Sequence, residues 1–349
     1  MTRLVEHLAD LTGHRDRDVL DATLVSAFKD LLQPQAVAIY RCIGEPGNQR
    51  WLSRAKLGPT DLVASADPLW ADIETLPRFE DHPARCEAFK GQTAVLTGGP
   101  PHVAVFAWGN DRETLGVLEV ETGDAMDSNA LRLVGSILRI YRNFQGVLDD
   151  SERDTLTGLL NRKTFDVSFL KATAEASGRM PAVPADQLSH VPERRNSGPA
   201  CGYRVGLIDI DHFKRVNDNH GHLIGDEVLL LLSRLMRSCF RFHDRLYRFG
   251  GEEFVVLMRG ESNSDARSAF ERFRRITESY AFPQVGRITV SVGFTEVFSG
   301  DTPSGAFERA DRAVYYAKAH GRNQVQSHAE LVERGELKDN ANIGDVELF

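Results

Sequence analysis

Two glycines followed directly by two acids are the residues most suggestive of chemistry. Gly250 and Gly251 separate two apolar, strand-like runs, and Glu252 and Glu253 come next. Glycine accepts the positive φ of a tight turn, so the pattern predicts a β-hairpin with two carboxylates at its tip. A polar hairpin end needs neither a second glycine nor paired acids, which favours a functional interpretation over a structural one.

A second acidic pattern ends an apolar run. Residues 206–214 read GLIDIDHFK, and strand alternation puts Asp209 and Asp211 on one face. Carboxylates at a strand end, close to another acid, are typical of sites that hold magnesium against nucleotide phosphates. The structural alternative is an N-cap for the following turn, which suits Asp211 better than Asp209.

Two further segments have the side chains to bind a nucleotide. Asn217 and Asp226 frame a polar stretch, and an amide paired with a carboxylate matches the donor and acceptor edge of guanine. The alternative there is an Asn/Gly turn followed by a helix cap at Asp226. Lys318 and Arg322 flank a predicted helix end at Gly321, where they can hold a triphosphate or simply complement the helix dipole.

The elements that must position these residues alternate along the second half of the chain. The predicted helices are 162–176, 225–240, 264–280 and 305–320, and the predicted strands are 204–210, the hairpin 246–258, and 288–295. Helices and strands that alternate around an antiparallel hairpin predict a ferredoxin-like α/β sheet. A Pro-, Gly- and Ser-rich stretch, 177–202, predicts a long loop.

The first half has an α+β pattern: a helix at 18–32, strands at 36–40, 51–57, 103–107 and 115–120, and a long helix at 129–148. That last helix leads into residue 149 and predicts a connector between domains. A seam along it consists of Leu131, Val134, Leu138, Tyr141 and Leu148. The seam either packs on its own domain or forms a dimerising coiled coil.

Composition excludes several classes of protein. The chain has 349 residues and a formal net charge of −8, which is unsuited to coating the phosphates of a nucleic acid polymer. Its four cysteines include no C-x-x-C pair, so we expect neither a zinc site nor a disulfide framework. This use of cysteine fits a reducing compartment. Without a signal-peptide pattern or a long apolar run, we predict a cytoplasmic protein with no membrane span.

Taken in chain order, five segments resemble those of GGDEF-domain diguanylate cyclases. Residues 250–254 resemble the family signature, in the variant with Glu in third place. Residues 154–162 resemble the domain-opening motif, and 209–214 and 217–226 resemble the metal and guanine segments. Residues 289–293 and 318–323 resemble the closing strand and helix, so the resemblance covers about 154–325. An EAL-type hydrolase segment is absent.

The resemblance implies an activity and a role for each motif residue. A ribose 3′-hydroxyl would attack the α-phosphate of a second GTP, and pyrophosphate would leave. Asp209 and Glu252 would bind Mg²⁺, with Mn²⁺ as an alternative, helped by the carbonyl of Ile210. Lys214 would be the transition-state cation, and Glu252 or Glu253 would accept the proton. The implied substrate-binding positions are His212, Phe213, Asn217, His222, Asp226, Gly251, Lys318 and Arg322.

A product site and a partner are implied as well. Arg241 and Asp244 form an R-x-x-D pattern ahead of Gly250, similar to the family's inhibitory site for cyclic di-GMP, and Arg272 matches its secondary basic position. A surface ion pair is the structural alternative. Each domain of the family holds one GTP, so the resemblance implies a homodimer that places two domains face to face.

These observations together predict four regions. Residues 1–128 resemble a GAF regulatory domain, an antiparallel sheet with helices, with a PAS domain as the nearest alternative. Residues 129–153 form the connector helix, 154–326 the ferredoxin-like, palm-type cyclase domain, and 327–349 an acidic flexible tail. Two other functions stay open: a cyclase-like module that only binds nucleotide, and a chain that acts chiefly by binding a partner through its N-terminal half.

Overall fold

The computed structural model describes residues 2–67, 71–109, 113–176, 200–260 and 262–338. Most of the predicted loop 177–202 and the end of the predicted tail lie outside these ranges. The chain divides into two compact units, Met1–Ser151 and Glu152–Phe349. Within the described ranges, none of the helices combines the length and apolar character needed to cross a membrane.

The N-terminal unit is a five-stranded antiparallel sheet with helices. Its helices are α1 (Thr2–Gly13), α2 (Arg17–Leu32), α3 (Pro83–Gly91) and α4 (Ser128–Glu152). Its strands are β1 (Ala36–Ile43), β2 (Arg50–Leu57), β3 (Val95–Leu96), β4 (His102–Gly109) and β5 (Thr114–Thr122), in the order β2-β1-β5-β4-β3. An antiparallel sheet with helices is what the sequence predicted, whereas the GAF assignment stays a prediction.

Most apolar residues of the α4 seam pack against the core of the N-terminal unit. Val134, Leu138, Tyr141 and Leu148 are all buried in the core that α2 and the sheet share. This is the first of the two alternatives that the sequence left open. The coiled-coil alternative is wrong for this seam, because the same side chains cannot fill the core and also face a second helix.

A buried polar network joins α4 to α2 and β2. The Tyr141 hydroxyl donates to Asp21 Oδ1 at 2.5 Å, and Gln145 Nε2 donates to that hydroxyl at 2.8 Å. Arg54 Nε donates to Asp21 Oδ2 at 2.9 Å. Burial raises the pKa of Asp21 and outweighs the opposing effect of Arg54. Each buried polar group has a partner here, so the network fixes how α4 lies on its unit.

The C-terminal unit is built on a six-stranded sheet in the order β11-β10-β7-β9-β8-β6. The strands are β6 (Leu160–Asn161), β7 (Ala200–Ile210), β8 (Arg245–Gly250), β9 (Glu253–Arg259), β10 (Val290–Phe298) and β11 (Val325–Ser327). The helices are α5 (Arg162–Ala176), α6 (Phe213–His220), α7 (His222–Cys239), α8 (Asn263–Ser279), α9 (Pro303–Ala319) and α10 (His328–Glu333). The antiparallel order β10-β7-β9-β8 is that of the predicted ferredoxin-like fold.

One glycine decides how closely α9 approaches the sheet. A Cβ atom on Gly293 of β10 would lie 2.2 Å from the carbonyl oxygen of Ala310 and 2.4 Å from the nitrogen of Val314. Only a residue without a side chain therefore lets α9 pack directly on β10. This packing brings the C-terminal turn of α9 to the sheet edge where β7 ends.

The predicted flexible tail is wrong over its first part. Residues 325–327 pair in parallel with β10, and α10 follows at once. Leu331 is completely buried and His328 is 5% exposed. Burial of Leu331 stabilises α10 through a tertiary contact. The polar, acidic composition of this segment did not predict that contact.

Tyr141→Phe tests the buried network of the N-terminal unit. Without the hydroxyl, Asp21 loses a donor in a buried site, and we expect this unit to lose about 1–3 kcal/mol of stability. All three tryptophans, Trp51, Trp70 and Trp108, lie in this unit, so tryptophan fluorescence during urea unfolding follows it selectively. Tyr315→Phe, at a side chain that is 75% exposed, should leave the midpoint unchanged. Equal midpoints for the two variants contradict the network's role.

Candidate active site

The glycine pair forms the predicted hairpin turn. β8 ends at Gly250 and β9 begins at Glu253, with φ angles of 144° at Gly250 and 51° at Gly251. The ladder between the strands shifts between Arg248 and Gly250, which leaves Phe249 as a bulge. Bulges beside a turn re-aim the side chains that follow them. Here the residues that follow are the two glutamates.

The strand-end aspartate lies beside this hairpin. Asp209 of β7 pairs in register with Glu253 of β9 and with Ser291 of β10. Its side chain is buried, and Lys318 Nζ of α9 lies 2.7 Å from Oδ2. The other oxygen, Oδ1, is buried without a hydrogen-bond partner among the described residues. A buried carboxylate oxygen without a donor is costly unless something positive binds to it.

The site carries more negative charge than its lysine neutralises. Burial raises the pKa of Asp209 and outweighs its bond with Lys318. Burial and the neighbouring Asp209 charge also raise the pKa values of Glu252 and Glu253. Like charges that share one site disfavour ionisation, and a divalent cation reverses this. The electrostatics therefore fit a cation site.

The donors present fit a magnesium-type ion. Asp209 Oδ1 and the Glu252 carboxylate are hard oxygen ligands, and the carbonyl of Ile210 ends the same strand. Across the described ranges no cluster of three or more His, Cys, Asp or Glu residues is placed to hold a metal. Two carboxylates, a carbonyl and substrate phosphates are nonetheless an ordinary Mg²⁺ ligand set.

Asp311 is a fourth acid at this site, and the sequence analysis missed it. It lies on α9, seven residues before Lys318, and its charge raises the pKa values of Asp209 and Glu253. Burial raises the pKa of Asp311 itself, and Lys318 opposes that shift. The available signal was the seven-residue spacing, which puts two residues on one helix face. A single acid on an amphipathic helix otherwise resembles a solvated surface residue.

Asp211 neither caps a helix nor is free to bind a metal. Its carboxylate accepts from Thr289 Oγ1 and Ser291 Oγ at 2.7 Å each, and from the Asn323 N–H at 3.0 Å. The N-cap of α6 is His212, which is left-handed with a φ of 60°. That turn directs Asp211 to β10 and the loop after α9, so the cap interpretation is wrong. Asp211 instead ties these elements together.

The predicted phosphate-binding residues surround the β7–α6 turn and the end of α9. His212 and the buried Phe213 stand at the N-terminus of α6, where backbone N–H groups and the helix dipole favour an anion. Lys214 follows them and is exposed. Lys318 lies in the last turn of α9, and exposed Arg322 follows with a φ of 63°.

The predicted guanine-binding residues lie on two neighbouring helices. The alternative of a turn with a cap at Asp226 is wrong, because Asn217 lies within α6 and Asp226 in the second turn of α7. His222 is the exposed first residue of α7. A Cβ atom on Gly225 would lie 2.0 Å from Asn217 Oδ1, so this glycine lets Asn217 pack against α7. Close packing of the two helices sets the position of the amide.

The predicted product-binding residues lie together around a buried acid. Asp244 Oδ2 accepts from the Arg241 N–H at 2.9 Å, while Oδ1 is buried without a hydrogen-bond partner among the described residues. Arg272 Nη2 donates to the Cys239 carbonyl at 2.7 Å. Burial raises the pKa of Asp244 to about 6, against the lowering effect of Arg241 and Arg272. His243 Nε2 lies 4.0 Å from the same Oδ1, so Asp244 keeps hydrogen-bonding capacity inside this cluster.

Comparison with known proteins assigns the C-terminal unit. Residues 186–324 match the family model described as diguanylate cyclase, GGDEF domain. Diguanylate cyclase DgcP of Pseudomonas aeruginosa is 32% identical over 326 residues, covering 84% of this chain and 48% of DgcP. Diguanylate cyclase DgcZ of Escherichia coli is 34% identical over 177 residues, covering 50% of this chain and 52% of DgcZ.

Among solved structures, the GGDEF domain of DgcB from Caulobacter crescentus, in complex with c-di-GMP, is 32% identical. The match covers 51% of this chain and 93% of that domain, with a TM-score of 0.43.

Residues 186–324 of the C-terminal unit are therefore similar to the GGDEF domain, and the curated relatives named here are diguanylate cyclases. The chain spans about half the length of the curated relatives it matches. The match with DgcP covers more of the chain than the C-terminal unit alone, so that likeness includes part of the N-terminal unit. The family model does not reach that unit, and no GAF assignment follows from it.

The raised pKa of Asp244 predicts that the stability of the folded chain depends on pH. Its folded pKa of about 6 exceeds the ordinary 3.8, so the folded chain keeps this proton to higher pH than the unfolded chain. The cost of ionisation is absent below 3.8 and complete above about 6. Wild type should therefore lose stability relative to Asp244→Asn as pH rises through this window, by roughly 3 kcal/mol at most.

Carboxyl ¹³C NMR measures this titration directly. The Asp244 resonance, assigned by its loss in Asp244→Asn, should titrate near pH 6. A midpoint at or below the ordinary 3.8 contradicts the buried environment of this carboxyl group.

Proposed function

We propose that this chain is a diguanylate cyclase that condenses two GTP molecules into cyclic di-GMP and releases pyrophosphate. The observation that carries the proposal is the Asp209 carboxylate, buried beside the Gly250–Glu253 hairpin. One oxygen pairs with Lys318, and the other accepts no hydrogen bond from the described residues. Such an oxygen suits a cation that accompanies a nucleotide. The GGDEF family match and the curated cyclases similar to this chain support the same activity.

A divalent ion, which we propose to be Mg²⁺ with Mn²⁺ as a substitute, would neutralise phosphate charge and lower the pKa of the attacking 3′-hydroxyl. Asp209, Glu252 and the Ile210 carbonyl would hold it. The ligand atoms support this, because all three are oxygens. The acids around Lys318 also leave the site with a net negative charge.

The chain's own residues position the substrate. Asn217 and Asp226, with His222 beside them, would bind guanine, and the Gly251 backbone would allow close approach of the nucleotide. His212 and Phe213 N–H groups, Lys318 and Arg322 would hold the β- and γ-phosphates, and Lys214 would stabilise charge as the leaving group departs. Lys318 already lies among the acids, so its ammonium links the metal-binding carboxylates with the phosphates.

The reaction balances with these groups alone. The 3′-oxygen of one GTP bonds to the α-phosphorus of the other, and the bond from that phosphorus to the bridging β-oxygen breaks. Glu252 or Glu253 accepts the hydroxyl proton, and pyrophosphate carries away the electron pair. A second, identical step closes the ring. The raised pKa values of both glutamates support a role in proton transfer at neutral pH.

Two protomers would be needed, because one domain holds one GTP and the product joins two. The N-terminal unit would regulate how the domains meet through α4, which leads directly into the cyclase unit. Its GAF-like character and a cytoplasmic location, where GTP is available, belong to the same proposal. Cyclic di-GMP would act as product and, at Arg241, Asp244 and Arg272, as inhibitor.

The test of the cyclase is product analysis by mass spectrometry. Purified chain, stripped of bound nucleotide, should convert GTP to cyclic di-GMP with Mg²⁺. Glu252→Gln should lower the rate at least about 100-fold, since it removes a metal-binding charge worth several kcal/mol. Glu333→Gln, an exposed acid on α10, is the matched control and should keep the wild-type rate. Nucleotide binding without product from a verified dimer would support the binding-module alternative.

The inhibitory site has a separate test. Arg241→Ala should weaken cyclic di-GMP binding about tenfold or more, since it removes a guanidinium that would bind the ligand and keeps the Arg241 N–H bond to Asp244. Turnover at low product should stay near the wild-type rate, and accumulation of product should no longer slow the reaction. Isothermal titration and full progress curves measure both effects. Unchanged product affinity contradicts the assignment of this site.

A further inference from the structure

Arg248 contacts two segments that lie far apart along the chain. Its Nη1 donates to Asp154 Oδ1 at 3.0 Å and Oδ2 at 3.2 Å. Its Nε and Nη2 donate to the Gly251 carbonyl at 3.2 and 2.9 Å. The Arg248 side chain is only 11% exposed. A partly buried guanidinium with both edges occupied is rigid, because its planar fork fits two acceptors at once.

Asp154 lies in the turn that directly follows α4. Its Oδ1 accepts from the Thr157 N–H at 2.8 Å and from Thr157 Oγ1 at 2.7 Å. These bonds and Arg248 outweigh burial and lower the pKa of Asp154, so it is ionised at neutral pH. β6, just beyond this turn, also pairs in parallel with β8. The segment that begins the cyclase unit is therefore bonded to the catalytic hairpin.

The other end of the link is the Gly250–Gly251 turn, whose two glycines have open space where a side chain would stand. A Cβ atom on Gly250 or on Gly251 would meet no atom within 4 Å. On one side the bulged Phe249 stacks on Phe307, with ring centroids 5.1 Å apart. Beyond that bulge, the Arg248 bonds to the Gly251 carbonyl orient the peptide that leads into Glu252. These bonds are the side-chain hydrogen bonds to the Gly251 carbonyl among the described residues.

We propose that Arg248 is a positioning residue that holds the Gly251–Glu252 peptide for metal binding and makes it follow the segment after α4. The inference rests on the proposed function. A shift of Asp154 at the start of the unit moves the guanidinium, which moves the turn. Arg248 thereby links the region next to the connector helix to the active site through a single side chain, which is hydrogen-bonded to both.

The experiment compares Arg248→Gln with Arg237→Gln in the full chain. Arg237 Nη2 donates to the Thr157 carbonyl at 2.8 Å, so it braces the same turn without contacting Gly251. Arg248→Gln should lower kcat roughly ten- to a hundredfold at saturating GTP, because a misplacement of about 1 Å has such an effect. It should also raise the half-saturating Mg²⁺ concentration, with KM for GTP within about threefold. Arg237→Gln should change kcat less than about threefold.

Two further measurements separate positioning from folding and from failure of the cyclase. Cyclic di-GMP affinity at Asp244 should be unchanged in Arg248→Gln, which shows a folded unit. Hydrogen–deuterium exchange of the peptide containing residues 249–253 should accelerate in Arg248→Gln and in Asp154→Asn, but not in Arg237→Gln. This readout needs no turnover, so it stands if the wild type makes no product. Unchanged exchange, or equal losses of kcat in the Arg248 and Arg237 variants, would overturn the inference.

Discussion

The structure of the C-terminal unit depends on one electrostatic constraint: several carboxylates lie together with one ammonium, that of Lys318, among the described residues. Lys318 pairs with Asp209 at 2.7 Å, yet burial still raises the pKa values of Asp209, Glu252, Glu253 and Asp311. Such a cluster is unfavourable alone and becomes favourable when a divalent ion and phosphates enter it. The same imbalance underlies the proposal that this site binds a metal and a nucleotide.

Holding that cluster requires close packing in three places. Gly293 brings α9, with Lys318 and Asp311, onto the sheet. Gly225 brings α6 and α7 together around Asn217. Asp211 ties the strand end to β10 and to the loop after α9 through three hydrogen bonds. A scaffold held this tightly keeps like charges near one another when they would otherwise separate, which is the preorganisation that phosphoryl-transfer chemistry needs.

Two pairs of buried polar residues differ in how fully they are hydrogen-bonded. In the N-terminal unit, Asp21 and Tyr141 are buried with partners on every side, and their network holds α4 in place. In the C-terminal unit, Asp209 and Asp244 each have one buried oxygen that accepts no hydrogen bond from the described residues. A buried polar group that makes all its hydrogen bonds holds its neighbours rigidly, whereas a buried acceptor without a donor can bind a ligand.

The sequence by itself determined the local features of this protein. The Gly250–Gly251 turn, the strand ending near Asp209 and the helix ending near Gly321 follow from backbone preferences and short-range periodicity, and the ordered motifs indicated the GGDEF domain. Tertiary structure decided what depends on distant partners. Asp211 bonds to Thr289 and Ser291, Asp311 reaches the acid cluster, Leu331 anchors α10 and α4 fills its own core. A side chain's local neighbours do not reveal which remote surface will bury it, because that choice is made by the packing of the whole unit.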